Sequence, residues 1–256
     1  DASFDVEELG LDLGLTFLEA TKTPMDETNI ESRALEFVES VLSLATSIIF
    51  IATSTSSLTD SGLVPALVST IAQSAQVVCD PNFKPFDGKD ANEQCYCSTQ
   101  LRFITSQSIQ LLETAVTSHN PAMAAFHDLK VVDLLVNLLE KEFNRIETDF
   151  NTSAKELLVH DIVEDGTELD ASTRVLIFSI LNCLTMVFHH QESASRSNSP
   201  PINAADVLQR PAMTKVIICI LRRVTFYGGI LGALSSTLLS DVMNAEPKVV
   251  HYVYES

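Results

Sequence analysis

Apolar residues recur at spacings of three and four along most of this chain, and short polar breaks separate the runs. Leu35, Val38, Leu42, Ala45 and Ile49 share one helical face, as do Leu63, Leu67, Ile71 and Ala75. Leu101, Ile104, Ile109, Leu112 and Ala115 continue the pattern, then Val131, Leu134, Leu135, Leu138 and Leu139. Glu142 falls in register with this last set, the one charge on its apolar row. Further helices are predicted over Ser172 to His190, Ala204–Gln209, Pro211–Phe226, Ile230–Asn244 and Pro247–Tyr254, with a short one near residues 4–20.

The breaks carry turn chemistry. Asp60-Ser61-Gly62 precedes one helix, Asn120-Pro121 is a cap followed by the proline that a first turn tolerates, and Gly228-Gly229 supplies a tight turn. Residues 80–97, 149–170 and 191–203 read as loops: the first for its prolines and Gly88, the second for its acidic composition, the third for its Ser/Asn/Pro bias. No region reads as a sheet. About ten helices in succession, in a phrase that recurs in altered form, predict an all-α fold, an armadillo/HEAT-like α-solenoid running through residues 1–256 as one segment. Apolar residues at both ends (Phe4, Val6 and Leu9; Val249, Val250, Tyr252 and Tyr254) differ from the polar caps of a finished solenoid, so both ends are expected to be cut from a longer one.

Composition narrows the function classes. The chain has 256 residues, 46% of them apolar, with 8 glycines and no tryptophan. Its 16 basic and 34 acidic residues leave a net charge of −18, which argues against a nucleic-acid surface and favours basic protein partners. Glu164, Asp165, Glu168 and Asp170 cluster as a candidate patch for such partners, with a solvated acidic loop as the plain alternative. A calcium loop beginning at Asp161 fails, because Val163 and Ser172 stand where ligands are required. The longest apolar stretch, Val41 to Ala52, is interrupted by Ser43, Thr46 and Ser47 and falls short of the ~20 residues of a membrane span. No secretory leader is visible at Asp1 to Glu8. An intracellular protein, cytoplasmic or nuclear, is expected, with no membrane partner.

Five cysteines at irregular spacing suit buried thiols in a reducing compartment. Cys95-Tyr96-Cys97 with Cys79 lacks the second pair of a zinc site. His189-His190 is expected to cap a helix C-terminus, and Cys183 to be an inert core thiol. Arg222, Arg223, Lys215 and Arg210 form the densest basic spot; contact with the acidic face of a neighbouring segment is the alternative to solvating a helix face, which is the reading expected. No acid, base and nucleophile fall together, so no catalytic residue, metal ligand or cofactor is assigned.

Several pieces in order resemble a known family. Ser118-His119-Asn120-Pro121 leads through Asp128-Leu129-Lys130-Val131-Val132-Asp133-Leu134-Leu135 to a helix ending in Glu140-Lys141-Glu142-Phe143. Arg210-Pro211-Ala212-Met213-Thr214-Lys215, Tyr227-Gly228-Gly229 and Leu239-Ser240-Asp241-Val242-Met243-Asn244-Ala245-Glu246-Pro247 follow. Together they resemble the N-terminal armadillo-like region of the giant HECT-type ubiquitin ligases, the Mule/Tom/UPL family. The resemblance covers roughly residues 60–256. It implies a non-catalytic scaffold and substrate-recruiting segment, held to the rest of the parent ligase. Ubiquitin-loaded E2 would engage only the HECT domain, whose catalytic cysteine lies outside this chain. The alternative is a free-standing armadillo or HEAT-like adaptor for basic partners; an all-α enzyme is the third class.

Overall fold

The computed structural model describes residues 30–51, 62–79, 91–118, 120–157, 169–193 and 211–245. Among these residues the chain forms nine helices and no strand. They are α1 (Ile30–Ile51), α2 (Leu63–Cys79), α3 (Ala91–Ser118), α4 (Asn120–Asp128), α5 (Val131–Leu157), α6 (Ala171–Ser193), α7 (Pro211–Arg222), α8 (Val224–Tyr227) and α9 (Gly229–Ala245).

The helices pack in two rows. In one row α1 lies on α3, α3 on α6, and α6 on α9. In the other α2 lies on α5 and α5 on α7. The rows meet where α2 leans on α3, α5 on α6 and α7 on α9, while short α4 is wedged against α2, α3 and α5. The chain thus alternates between rows as it advances, and each helix touches its near neighbours: an all-α solenoid segment. One continuous core runs through it, from Leu42 and Ile49 of α1 to Leu238 of α9.

The predicted faces are the buried ones. Leu67, Ile71 and Ala75 of α2, Ile104, Ile109, Leu112 and Ala115 of α3, and Val131, Leu135, Leu138 and Leu139 of α5 are all buried. α3 and α6 are enclosed on most sides, which explains hydroxyl residues where a surface helix would show charge. Thr105, Ser106 and Ser108 donate to the carbonyls of Leu101, Arg102 and Ile104, and Ser179 and Thr185 to those of Val175 and Leu181. A hydroxyl that donates within its own helix can be buried without an orphaned proton. α6 is long and apolar enough to cross a membrane from Ala171 to His189, yet Leu176, Ile177, Ile180, Leu181 and Leu184 are wholly enclosed by protein.

The expected loops are narrower than their composition suggests. Helix α3 already includes residues 91–97, α5 continues past Phe143 to Leu157, and α6 runs through His190 to Ser193. Acidic and polar residues are compatible with an extended helix whose apolar half is docked. Residues 80–90, 158–168 and 194–203 lie outside the described residues, as do the predicted helices near 4–20, 204–209 and 247–254.

Among the described residues left-handed backbone stands at three places, the first being Gly62, φ +71°, just before α2. Gly228, with φ +94°, separates α8 from α9. Gly229 is already the first residue of α9, so only one of the pair does the turning. Between α4 and α5 the left-handed residue is Lys130, φ 51°, whose N–H donates to His127 O at 2.9 Å.

Candidate functional site

The densest polar chemistry lies inside the solenoid, where α3, α5 and the start of α6 converge. Glu142, the charge in the apolar register of α5, is fully enclosed. Arg102 Nε of α3 donates to its Oε1 at 3.2 Å, and Arg145 Nε, one turn on in α5, donates to its Oε2 at 2.9 Å. Arg145 Nη2 also donates to Thr173 Oγ1 of α6 at 2.9 Å. A carboxylate buried this deeply is tolerable only because both oxygens are engaged by cations. Asp170 supplies the second anion. Its Oδ1 accepts from Ser172 Oγ at 2.6 Å and from Thr173 N at 3.0 Å, capping α6. Burial pushes its carboxyl up, but the bonds from Ser172 and Thr173 and the charge of Arg102 outweigh it and hold the carboxyl below the usual aspartate value. Two cations and two carboxylates therefore balance at the junction of three helices.

A second polar seam joins α3 to α6. Gln110 Nε2 donates to Ser179 Oγ at 3.0 Å, and Asn182 Nδ2 donates to Glu113 Oε2 at 2.8 Å. Burial raises the Glu113 carboxyl above its ordinary value, with the Asn182 bond opposing. Cys183, beside this seam, has no exposure, and burial with the Glu113 charge pushes its thiol far up. A thiol held protonated and sealed from solvent is a poor nucleophile.

Both seams are architectural in chemistry. Glu142 has no free lone-pair direction toward solvent, and Arg102 is nine-tenths enclosed on its side-chain surface. Neither can bind a substrate without the junction opening. Among the described residues no group of three or more His, Cys, Asp or Glu is placed to hold a metal ion. Cys95 and Cys97 lie two positions apart on helix α3.

The remaining expectations fare unevenly. Of the acidic cluster, Asp170 is the cap just described, and Glu164, Asp165 and Glu168 lie outside the described residues. His189 does not end its helix: α6 continues to Ser193, and His189 Nε2 stands 3.1 Å from Asp241 Oδ2 of α9. The contact has the distance of an ion pair for a protonated imidazole without the alignment of a hydrogen bond. Arg223 does more than solvate a face: its Nη1 donates to Glu147 Oε1 of α5 at 2.7 Å. Lys215 lies 5.9 Å over the Phe143 ring, Arg222 is exposed, and Arg210 falls outside the described residues. These contacts join helices distant in sequence, which spacing along one helix cannot reveal.

Over 230 residues the chain is 24% identical to E3 ubiquitin-protein ligase UPL2 of Arabidopsis thaliana, covering 86% of this chain and 5% of that protein. Over 221 residues it is 23% identical to E3 ubiquitin-protein ligase UPL1 of the same organism, covering 84% of this chain and again 5% of the relative. The chain therefore spans about one twentieth of the length of these ligases. No solved structure matches it. Residues 106–256, more than half of the chain, match the family described as Domain of Unknown Function (DUF913), and the chain belongs to that family, a domain found in HECT-type E3 ubiquitin ligases.

Proposed function

We propose that this chain is a non-catalytic scaffold and substrate-recruiting segment of a giant HECT-type E3 ubiquitin ligase. The observation that carries the reading is the combination of an E3 ligase relationship over most of the chain with a solenoid whose polar chemistry is spent on holding helices together. The enclosed thiol of Cys183 supports a catalytic cysteine elsewhere in the parent polypeptide. Ubiquitin-loaded E2 then meets the HECT domain, while this segment meets protein substrates. The charge of −18 favours basic ones, and Glu164, Asp165 and Glu168, together with whatever of Asp170 its capping role leaves free, are the proposed contact. An intracellular setting, cytoplasmic or nuclear, follows from the ligase reading.

The test uses the native parent polypeptide, captured with an antibody to this segment and supplied with ubiquitin-charged E2. A reductant-sensitive ubiquitin thioester on a chain many times longer than this one supports the proposal. A parent that forms no thioester and is scarcely longer than this chain replaces it with the adaptor reading. Charge reversal at Glu164, Asp165 and Glu168 is expected to weaken binding of histone-like proteins at low salt; unchanged binding removes the patch from the proposal.

A further inference from the structure

Three carboxylates at helix junctions are matched by cations. Glu142 has Arg102 and Arg145, Glu147 has Arg223, and Asp170 feels the charge of Arg102. Glu113, in the α3–α6 seam, breaks the pattern. Among the described residues its side chain bonds to Asn182 alone, at Oε2, which leaves Oε1 for another donor. Burial is the dominant influence on its carboxyl, and the Asn182 bond is the one relief; no cation contributes. An amide in place of this carboxylate would accept from Asn182 equally and would carry no desolvated charge. The charge therefore exceeds what joining the two helices requires.

The surroundings suit a flat, donor-rich cation. Gln110 stands one turn before Glu113 on α3, and its Nε2 is engaged by Ser179, so its Oε1 remains as a second acceptor. Met186 stands one turn after Asn182 on α6 and is 40% exposed. A guanidinium can divide its N–H groups between a carboxylate and an amide oxygen, and its apolar stem can lie along a methionine. It is also weakly hydrated, whereas an ammonium gives up more on entering a half-buried site. The net charge of −18 draws such side chains toward the whole surface.

We propose that Glu113, with Gln110 and Met186, forms a binding site for an arginine side chain of a basic protein partner. The site deepens the substrate-recruiting reading and rests on it for the class of partner, but it shares no residue with the acidic patch of Glu164, Asp165 and Glu168.

Fluorescence anisotropy of the whole chain with a labelled peptide of alternating arginine and serine tests it, beside the same peptide made with lysine or with citrulline. The parent is expected to bind the arginine peptide about tenfold tighter than the citrulline peptide, with lysine between them. Glu113→Gln, which keeps the acceptor for Asn182, is expected to lose most of that difference. Asp128→Asn, which removes an exposed charge from α4, is expected to keep it. No preference for arginine over both alternatives in the parent overturns the proposal. Equal losses in Glu113→Gln and Asp128→Asn also overturn it and leave net charge as the attraction. Charge reversal at Glu164, Asp165 and Glu168 separates the two sites: loss of binding there, with Glu113→Gln unaffected, overturns this site and keeps the basic-partner reading. A benzoylphenylalanine in place of Met186 gives a reading that leaves every charge intact. Cross-linking to the arginine peptide and not to the citrulline peptide supports the site; cross-linking to both, or to neither, overturns it.

Discussion

Arg102 and Glu142 stand forty positions apart in sequence, and their side chains meet at 3.2 Å inside the core. Removing the cation alone leaves a fully enclosed carboxylate with half its partners. Arg102→Met is therefore expected to cost about 3–5 kcal/mol. Arg102→Met with Glu142→Leu removes both charges and is expected to recover much of that loss, since an apolar pair of similar volume often matches a buried ion pair. Arg145 would then be the group to watch, because it keeps Thr173 as a partner. Urea unfolding of the two single variants and the double variant measures the coupling. Single and double losses that simply add would mean the pair does not act as a unit.

Glu113 and Asp170 respond to pH in opposite directions. Burial, opposed by the Asn182 bond, raises the Glu113 carboxyl, so the folded protein holds this proton more tightly than the unfolded chain. Its contribution is fully present below the unfolded value and is lost as pH rises through the folded one. Glu113→Gln keeps a hydrogen-bond acceptor for Asn182 and is expected to be at least as stable as the parent at neutral pH. The advantage should vanish on acidification below the usual glutamate range. For Asp170, burial acts upward but the Ser172 and Thr173 bonds and Arg102 prevail, and the folded value is lowered. That stability is present above the unfolded value and lost as pH falls through the folded one. Asp170→Asn should therefore be less stable than the parent at neutral pH, with the gap closing in acid. Thermal unfolding of the parent and both variants across the acid range decides both signs.

What the sequence made legible was the part governed by local periodicity. The buried faces of α2, α3 and α5 follow directly from apolar spacing, and Gly62, Asn120-Pro121 and Gly228 mark real boundaries. Glu142 was visible as a charge in an apolar register, but its partner was not, because the meeting with Arg102 depends on how α3 crosses α5. Arg223 and His189 were misread for the same reason: each finds its carboxylate on another helix. The loop boundaries at residues 91–97 and 149–157 erred because polar composition was taken as a break, although a docked helix tolerates several polar turns.

Lys130 carries the left-handed turn between α4 and α5 with a side chain that disfavours it. The residue is exposed and its N–H is already used by His127 O. Lys130→Gly relieves the backbone but frees the unfolded chain, two effects of about 1 kcal/mol each and opposite sign. A change within about 0.5 kcal/mol of zero is expected. Lys130→Val, which adds a β-branch at positive φ, has no such compensation and should destabilise by about 1–2 kcal/mol. Chemical denaturation separates the two, and equal effects would mean that the turn relaxes to negative φ.

Cys183 and Cys219 should differ sharply toward alkylating reagents. Cys183 is sealed in α6, where burial and the Glu113 charge keep its thiol protonated at any physiological pH. The thiolate is the reacting species, so neither access nor ionisation favours attack. Iodoacetamide should reach it only when α6 separates from α3, at a rate that tracks global unfolding, since that seam lies at the centre of the core. Cys219 of α7 is only partly covered and is expected to react in the native state. Peptide-resolved alkylation in increasing sub-denaturing urea gives both rates. A Cys183 rate independent of urea would require a local opening at the α3–α6 seam. Such an opening would also expose Glu113 and Asn182, so Glu113→Gln, which removes the buried charge, should slow it.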